Sequence, residues 1–179
     1  MSSIIKLISE LYAFDYSVTG PGSDLAARRL CKELPFEIFE YESGQSLNGW
    51  KIPPACEVVK AELSKNGKLI YDGRSSPLGV PAQSASFSGE LSLEDLEPHL
   101  FSAEHGDAIP YHWSNLYRPN EKIWGLCIPK KIKESLVEGK YNIDIITRKK
   151  PSNMKVLVHT LSGESEETII INAHETNLL

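Results

Sequence analysis

Asn66-Gly67 sits between two short runs of strand character, and it constrains the fold more tightly than any other part of the chain. Before it, residues 57–64 alternate, with Val59, Ala61 and Leu63 on one side; after it comes Leu69-Ile70-Tyr71. A type I′ turn needs positive φ at both central positions, which Asn and Gly tolerate best. The pair therefore predicts a tight antiparallel hairpin.

Helical spacing is confined to the N-terminal part. Ile4, Ile5, Leu7, Ile8, Leu11 and Tyr12 share one face, with Ser2 or Ser3 available as a cap. Glycines and a proline at residues 17–22 break that helix. Ser23 is predicted to cap a second helix running to about Leu34, with Asp24 near its positive end and Pro35 as its stop.

The texture then becomes β-like. Residues 36–41 read as a strand, 43–48 as a polar loop, and 77–89 as a long loop or irregular edge strand. Ser92-Leu93-Glu94-Asp95 resembles a capping box for a short helix ending near Phe101. Residues 108–114 and 123–128 read as strands, Pro129 opens a helix that Glu138-Gly139 ends, and residues 141–147 alternate again. Arg148-Lys149-Lys150-Pro151 is a basic joint, followed by a final strand pair at 154–162 and 168–173. The second member, Thr168-Ile169-Ile170-Ile171-Asn172-Ala173, is apolar almost throughout, as in a strand covered on both faces.

Composition excludes several classes. At 179 residues the chain holds one domain, or a small domain with an insertion. Its 24% charged residues and 41% hydrophobic residues do not describe a disordered chain. Nineteen basic against 24 acidic residues, net -5, disfavour a nucleic-acid binder. Cys31, Cys56 and Cys127 form no CxxC, so neither a zinc knuckle nor a disulfide framework is expected. Without a secretory leader or an apolar run of ~18 residues, the expectation is a cytoplasmic protein that does not span a membrane.

The familiar catalytic signatures are missing: there is no GxSxG elbow and no HExxH helix. Gly20-Pro21-Gly22 reads as a helix-entry turn rather than a phosphate cradle. His99 and His105 read as solvated surface residues, and His159 as a hydrogen-bonded strand residue. His112, within Tyr111-His112-Trp113, admits two readings: aromatic stacking inside the β-rich region, or a substrate-binding surface. His174 follows the carboxyl end of the last apolar run, where open α/β sheets place ligands. One imidazole does not make a zinc site, which takes three protein ligands and a water. Glu175 is adjacent but points elsewhere on an extended backbone.

Ordered segments along almost the whole chain carry a family resemblance. They are Leu7-Ile8-Ser9-Glu10-Leu11-Tyr12 with Ser17-Val18-Thr19-Gly20, Leu34-Pro35-Phe36-Glu37-Ile38, Ser43-Gly44 leading to Trp50-Lys51-Ile52-Pro53, Leu91-Ser92-Leu93-Glu94-Asp95-Leu96, Asp107-Ala108-Ile109-Pro110-Tyr111, and Trp124-Gly125-Leu126-Cys127. Together they resemble a bacterial family of aminopeptidase-like, di-zinc exopeptidase-like proteins of unknown function, often found in polysaccharide biosynthesis clusters. The resemblance implies an α+β chain: a β-rich inserted domain (43–150), flanked by an N-terminal helical segment (1–42) and by a strand pair (151–179) returning to an incomplete α/β peptidase-like sheet. It makes His174 a metal-ligand position, with zinc as the cofactor of the parent family. The Cys-His-Pro and Ala-Asn-Asp-Asn stretches that follow in family members do not follow His174 here.

Two functions compete. The chain is expected to be the N-terminal portion of an aminopeptidase-like zinc hydrolase, inactive alone, with no catalytic residue and no catalytically bound zinc of its own. The alternative is a non-catalytic module binding a peptide or glycan through Tyr111, Trp113, Tyr117 and Trp124, aromatics that equally suit a core. The isoleucine-rich end predicts self-association, docking of the first helices over it, or a partner that covers it.

Overall fold

Helix α1 (Ser3–Tyr12) forms where the apolar period predicts it, and its register is set by charge. Glu10 pairs with Lys6 one turn back and accepts from Arg29 Nε at 2.6 Å; Arg29 also reaches Glu33 at 2.6 Å. Arg29 belongs to α2 (Pro21–Leu30), which starts two residues before the predicted cap and ends four residues earlier than predicted. Gly20 is the N-cap at φ 133°, and Pro21 sits in the first turn, where its missing N–H costs nothing. Ser23 does not cap. Its hydroxyl bonds the Ser17 carbonyl instead.

The computed structural model describes residues 3–12, 14, 17–113 and 123–173. The chain divides into two compact units, Met1–Ala55 with Pro151–Leu179, and Cys56–Lys150. No helix among the described residues is long and apolar enough to cross a membrane.

In the first unit, β1 (Glu37–Glu42) pairs antiparallel with β10 (Asn153–Val158), from Glu37 opposite Val158 to Glu42 opposite Asn153. Ser43 continues the ladder: its amide donates to the Ser152 carbonyl at 2.9 Å, and its Oγ accepts from the Ser152 amide at 3.1 Å. Gly22, Ala26 and Ala27 give α2 a small-residue face that is buried. Lys155 of β10, 17% exposed at its side chain, pairs with Asp24 of α2 and lies 3.8 Å from Glu40. Two short strands, β2 (Ser46–Leu47) and β3 (Trp50–Lys51), close a small hairpin.

The second unit is built on the order β5-β4-β9-β6, from β4 (Ala55–Lys65), β5 (Lys68–Asp72), β6 (Phe87–Ser92) and β9 (Lys140–Lys150). The predicted hairpin joins β4 to β5, with Asn66 at φ 52° and Gly67 at φ 74°. Strand β9 alternates as expected: Tyr141, Ile143 and Ile145 are buried and stand opposite Leu91, Gly89 and Phe87 of β6. They join Ala61, Leu63, Tyr71, Leu96, Leu100, Leu126 and Ile128 in one core.

Ser92 caps α3 (Leu93–Leu96) as predicted, its Oγ accepting from the Asp95 amide at 3.2 Å. A parallel bridge pairs β7 (Leu100–Phe101) with β8 (Leu126–Cys127). After Pro129 comes α4 (Lys130–Glu134), shorter than predicted. Lys65 Nζ meets the chain beyond α4, donating to the carbonyls of Val137 and Glu138 at 3.0 Å each.

The architecture is mixed α+β, with a β-rich sheet region inserted after the N-terminal helices. Three strand expectations fail. The described part of 108–114, residues 108–113, carries no ladder, because its backbone is tied to a loop: the Ala82 amide donates to the His112 carbonyl at 2.8 Å. Residues 123–128 supply only the two residues of β8. Strand β10 exists, but its partner is β1; residues 168–173 form no strand, and Ile169, Ile170 and Ile171 stand in solvent.

A candidate aromatic binding surface

The parallel bridge of β7 and β8 brings Phe101 beside Cys127 and supports the Tyr111-His112-Trp113 segment. The His112 imidazole lies on the Phe101 ring, centroids 3.8 Å apart and planes 14° apart. Its carbonyl is held by Ala82, and its amide is directed at the Cys127 sulfur. Burial lowers the His112 pKa below the usual imidazole value, so the ring is neutral at pH 7. On either side of it, Tyr111 and Trp113 are 41% and 51% exposed. A fixed histidine between two outward aromatics offers stacking area and ring nitrogens, the materials of a small-ligand contact.

Trp124 has a different position. It is sandwiched between Phe87 (3.8 Å, 2°) and His99 (3.6 Å, 10°), and it packs against the core of the second unit. Both of its faces are used, so it does not serve as an open platform. His99, expected at the surface, is half-buried in this stack, with Nδ1 3.0 Å from the Trp124 carbonyl. The approach depends on Gly125, where a Cβ would come within 2.3 Å of the His99 carbonyl oxygen. Local polarity around His99 concealed this, because its partner lies 25 residues away. Tyr117 lies outside the described residues.

His174 also lies outside the described residues. Among the described residues no group of three or more His, Cys, Asp or Glu is placed to hold a metal ion. His105 is exposed beside Glu104. His159 stands edge-on to Phe36 at 5.9 Å, its Nδ1 3.4 Å from the Pro35 carbonyl, as its strand context suggested. All three cysteines are free. Burial pushes the Cys127 thiol up to about 12 and raises Cys56 against the pull of Lys149, so neither is a ready thiolate nucleophile. These described residues do not fit a zinc site, which needs three protein ligands.

The family Domain of unknown function (DUF2172) matches residues 55–148, from the start of β4 almost to the end of β9. The chain belongs to the DUF2172 family. A Clostridium acetobutylicum protein named "Putative polysaccharide biosynthesis protein with aminopeptidase-like domain" is 25% identical to this DUF2172 chain over 173 residues. The match takes in 96% of this chain and 39% of that protein. A crystal structure of a protein described as a "putative peptidase" from the same organism superimposes with a TM-score of 0.69 at 25% identity, covering 85% of this chain and 36% of the other. The DUF2172 chain thus spans well under half the length of the relatives it matches. Its likeness is to an aminopeptidase-like protein, without an intact metal site among the described residues.

Proposed function

We propose that this chain is the N-terminal portion of an aminopeptidase-like zinc hydrolase whose metal set and general base come chiefly from residues other than the described ones. The observation that carries this reading is asymmetric coverage: 96% of the chain matches a protein with an aminopeptidase-like domain, of which the chain spans 39%. In this reading residues 1–42 and 151–179 belong to the peptidase-like sheet and 43–150 to the inserted β-rich domain. His174 is the metal-ligand position, and Tyr111, His112 and Trp113 contact substrate. Zinc in such an enzyme supplies a Lewis acid and a hydroxide for amide hydrolysis. This chain would contribute a neutral imidazole and two flanking aromatics that orient a substrate, in a cytoplasmic protein linked to polysaccharide biosynthesis.

The test is hydrolysis of a panel of aminoacyl-4-nitroanilides. The 179-residue chain should release no 4-nitroaniline. The product of the same reading frame continued downstream should do so, with the activity lost to a chelator and restored by Zn²⁺. Chelator-sensitive cleavage by the 179 residues alone would overturn the reading, as would an inactive, zinc-free longer product.

The exposure of Tyr111 and Trp113 favours a second reading, a non-catalytic module that binds a peptide or glycan. Binding of an oligosaccharide or peptide panel to the chain, with no hydrolysis by either product, would select it.

A further inference from the structure

Three consecutive isoleucines, Ile169, Ile170 and Ile171, are 88%, 86% and 89% exposed. They belong to no ladder and no helix among the described residues. Consecutive side chains on a strand face opposite ways, so a cover on one side of this run would leave every second isoleucine in water. Burying all three takes a strand inside a sheet that is layered on both faces. Isoleucine is stiff at χ1 and suits the pleated backbone, so the run is already biased toward that state.

The unit that carries the run does not supply such a sheet among its described residues. Its longest ladder has two strands, β1 and β10, and Phe39, Val156 and Val158 on that ladder are themselves partly exposed. The length of the relatives points to what covers the run: this chain spans 39% of one and 36% of the other. Building on the proposed function, we infer that residues 168–173 form an interior strand of an α/β sheet. Its neighbouring strands come from polypeptide corresponding to the part of the Clostridium protein that this chain does not span. The segment is thus the point of assembly between the 179 residues and that remainder.

Hydrogen exchange read by mass spectrometry tests this on the 179-residue chain and on the longer product of the continued reading frame. Amides at 169–171 should exchange near the unprotected rate in the first and on the order of 10³-fold more slowly in the second. Equal exchange in both overturns the inference. So does protection already present in the 179 residues, which would mean docking within the chain or self-association. Absence of any continued or adjacent frame encoding such a polypeptide also overturns it.

Ile170→Asp should leave the melting temperature of the 179-residue chain unchanged and abolish the added protection in the longer product, whereas Ile170→Val should retain it. If Ile170→Asp prevents the longer product from folding, the wild-type comparison still decides. Protection without peptide hydrolysis would remove the enzyme reading and leave the strand; hydrolysis without protection would do the reverse.

Discussion

The His99 imidazole lies 3.6 Å from the Trp124 indole, nearly parallel to it, while its Nδ1 bonds the carbonyl of the same tryptophan at 3.0 Å. A carbonyl only accepts, so Nδ1 carries the proton. His99→Ala removes a stacked pair and a hydrogen bond together and should cost about 1–3 kcal/mol in urea unfolding. His99→Phe should recover the stacking part alone. A loss no greater than that of an exposed-surface control would show that the sandwich adds nothing to stability.

Gly79 and Gly73 bring two stretches of backbone into contact that leaves no room for a side chain. A Cβ on Gly79 would sit 2.0 Å from the Gly73 carbonyl oxygen, and one on Gly73 2.9 Å from that of Gly79. Gly79→Ala should therefore destabilise the second unit by several kcal/mol, roughly the scale of severe overpacking or more. Gly163→Ala meets nothing within 4 Å and serves as the control. Equal melting temperatures for both variants would disprove the steric argument.

Cys127 gives the protein a defined alkaline limit. Its folded-state pKa of about 12 lies above the ordinary thiol value of 9.0. Below pH 9 both folded and unfolded chains hold the proton, and its contribution is fully present. As pH rises from 9 toward 12 the unfolded chain ionises first, and stability should fall by up to ~1.4 kcal/mol per pH unit. Cys127→Ala should flatten that slope in unfolding titrations. An unchanged slope would show that another group sets the limit.

Trp50 Nε1 is buried without a hydrogen-bond partner. An unsatisfied buried donor costs more than an apolar atom in the same place, so Trp50→Phe should be neutral or stabilise by up to ~1 kcal/mol despite its smaller ring. Destabilisation by 2 kcal/mol or more would mean that the lost packing outweighs the relieved donor.

The candidate surface is tested by separating binding from stability. Tyr111→Ala and Trp113→Ala should each shift the melting temperature by no more than about 2 °C, consistent with small surface effects. Each should weaken a peptide or glycan hit at least about tenfold, a contact worth ~1.4 kcal/mol. Unchanged affinity in both variants would remove these residues from any binding role.

What the sequence made legible was local. Asn66-Gly67 carries its own φ preference, Ser92 caps residues three positions away, and Tyr141, Ile143 and Ile145 alternate within one strand. The His99–Trp124 pair was hidden because nothing near His99 signals an indole elsewhere in the chain. Residues 168–173 show a different gap: an uninterrupted apolar run states that cover is needed but not that the same 179 residues provide it. At the candidate surface, the aromatic neighbours of His112 could be read directly. Its stacking partner Phe101 could not, since only the bridge between β7 and β8 brings the two together.

Glu42 and Asn153 face one another across the β1–β10 ladder, although the whole four-stranded sheet lies between them in sequence. During synthesis β1 must therefore wait, its backbone donors satisfied only by water, until the ribosome has released everything up to Val158. The intervening segment, by contrast, leaves and returns at a single rung. It can mature first and bring the two waiting ends together as it does so, which makes it behave as a cassette whose completion zips its own container shut.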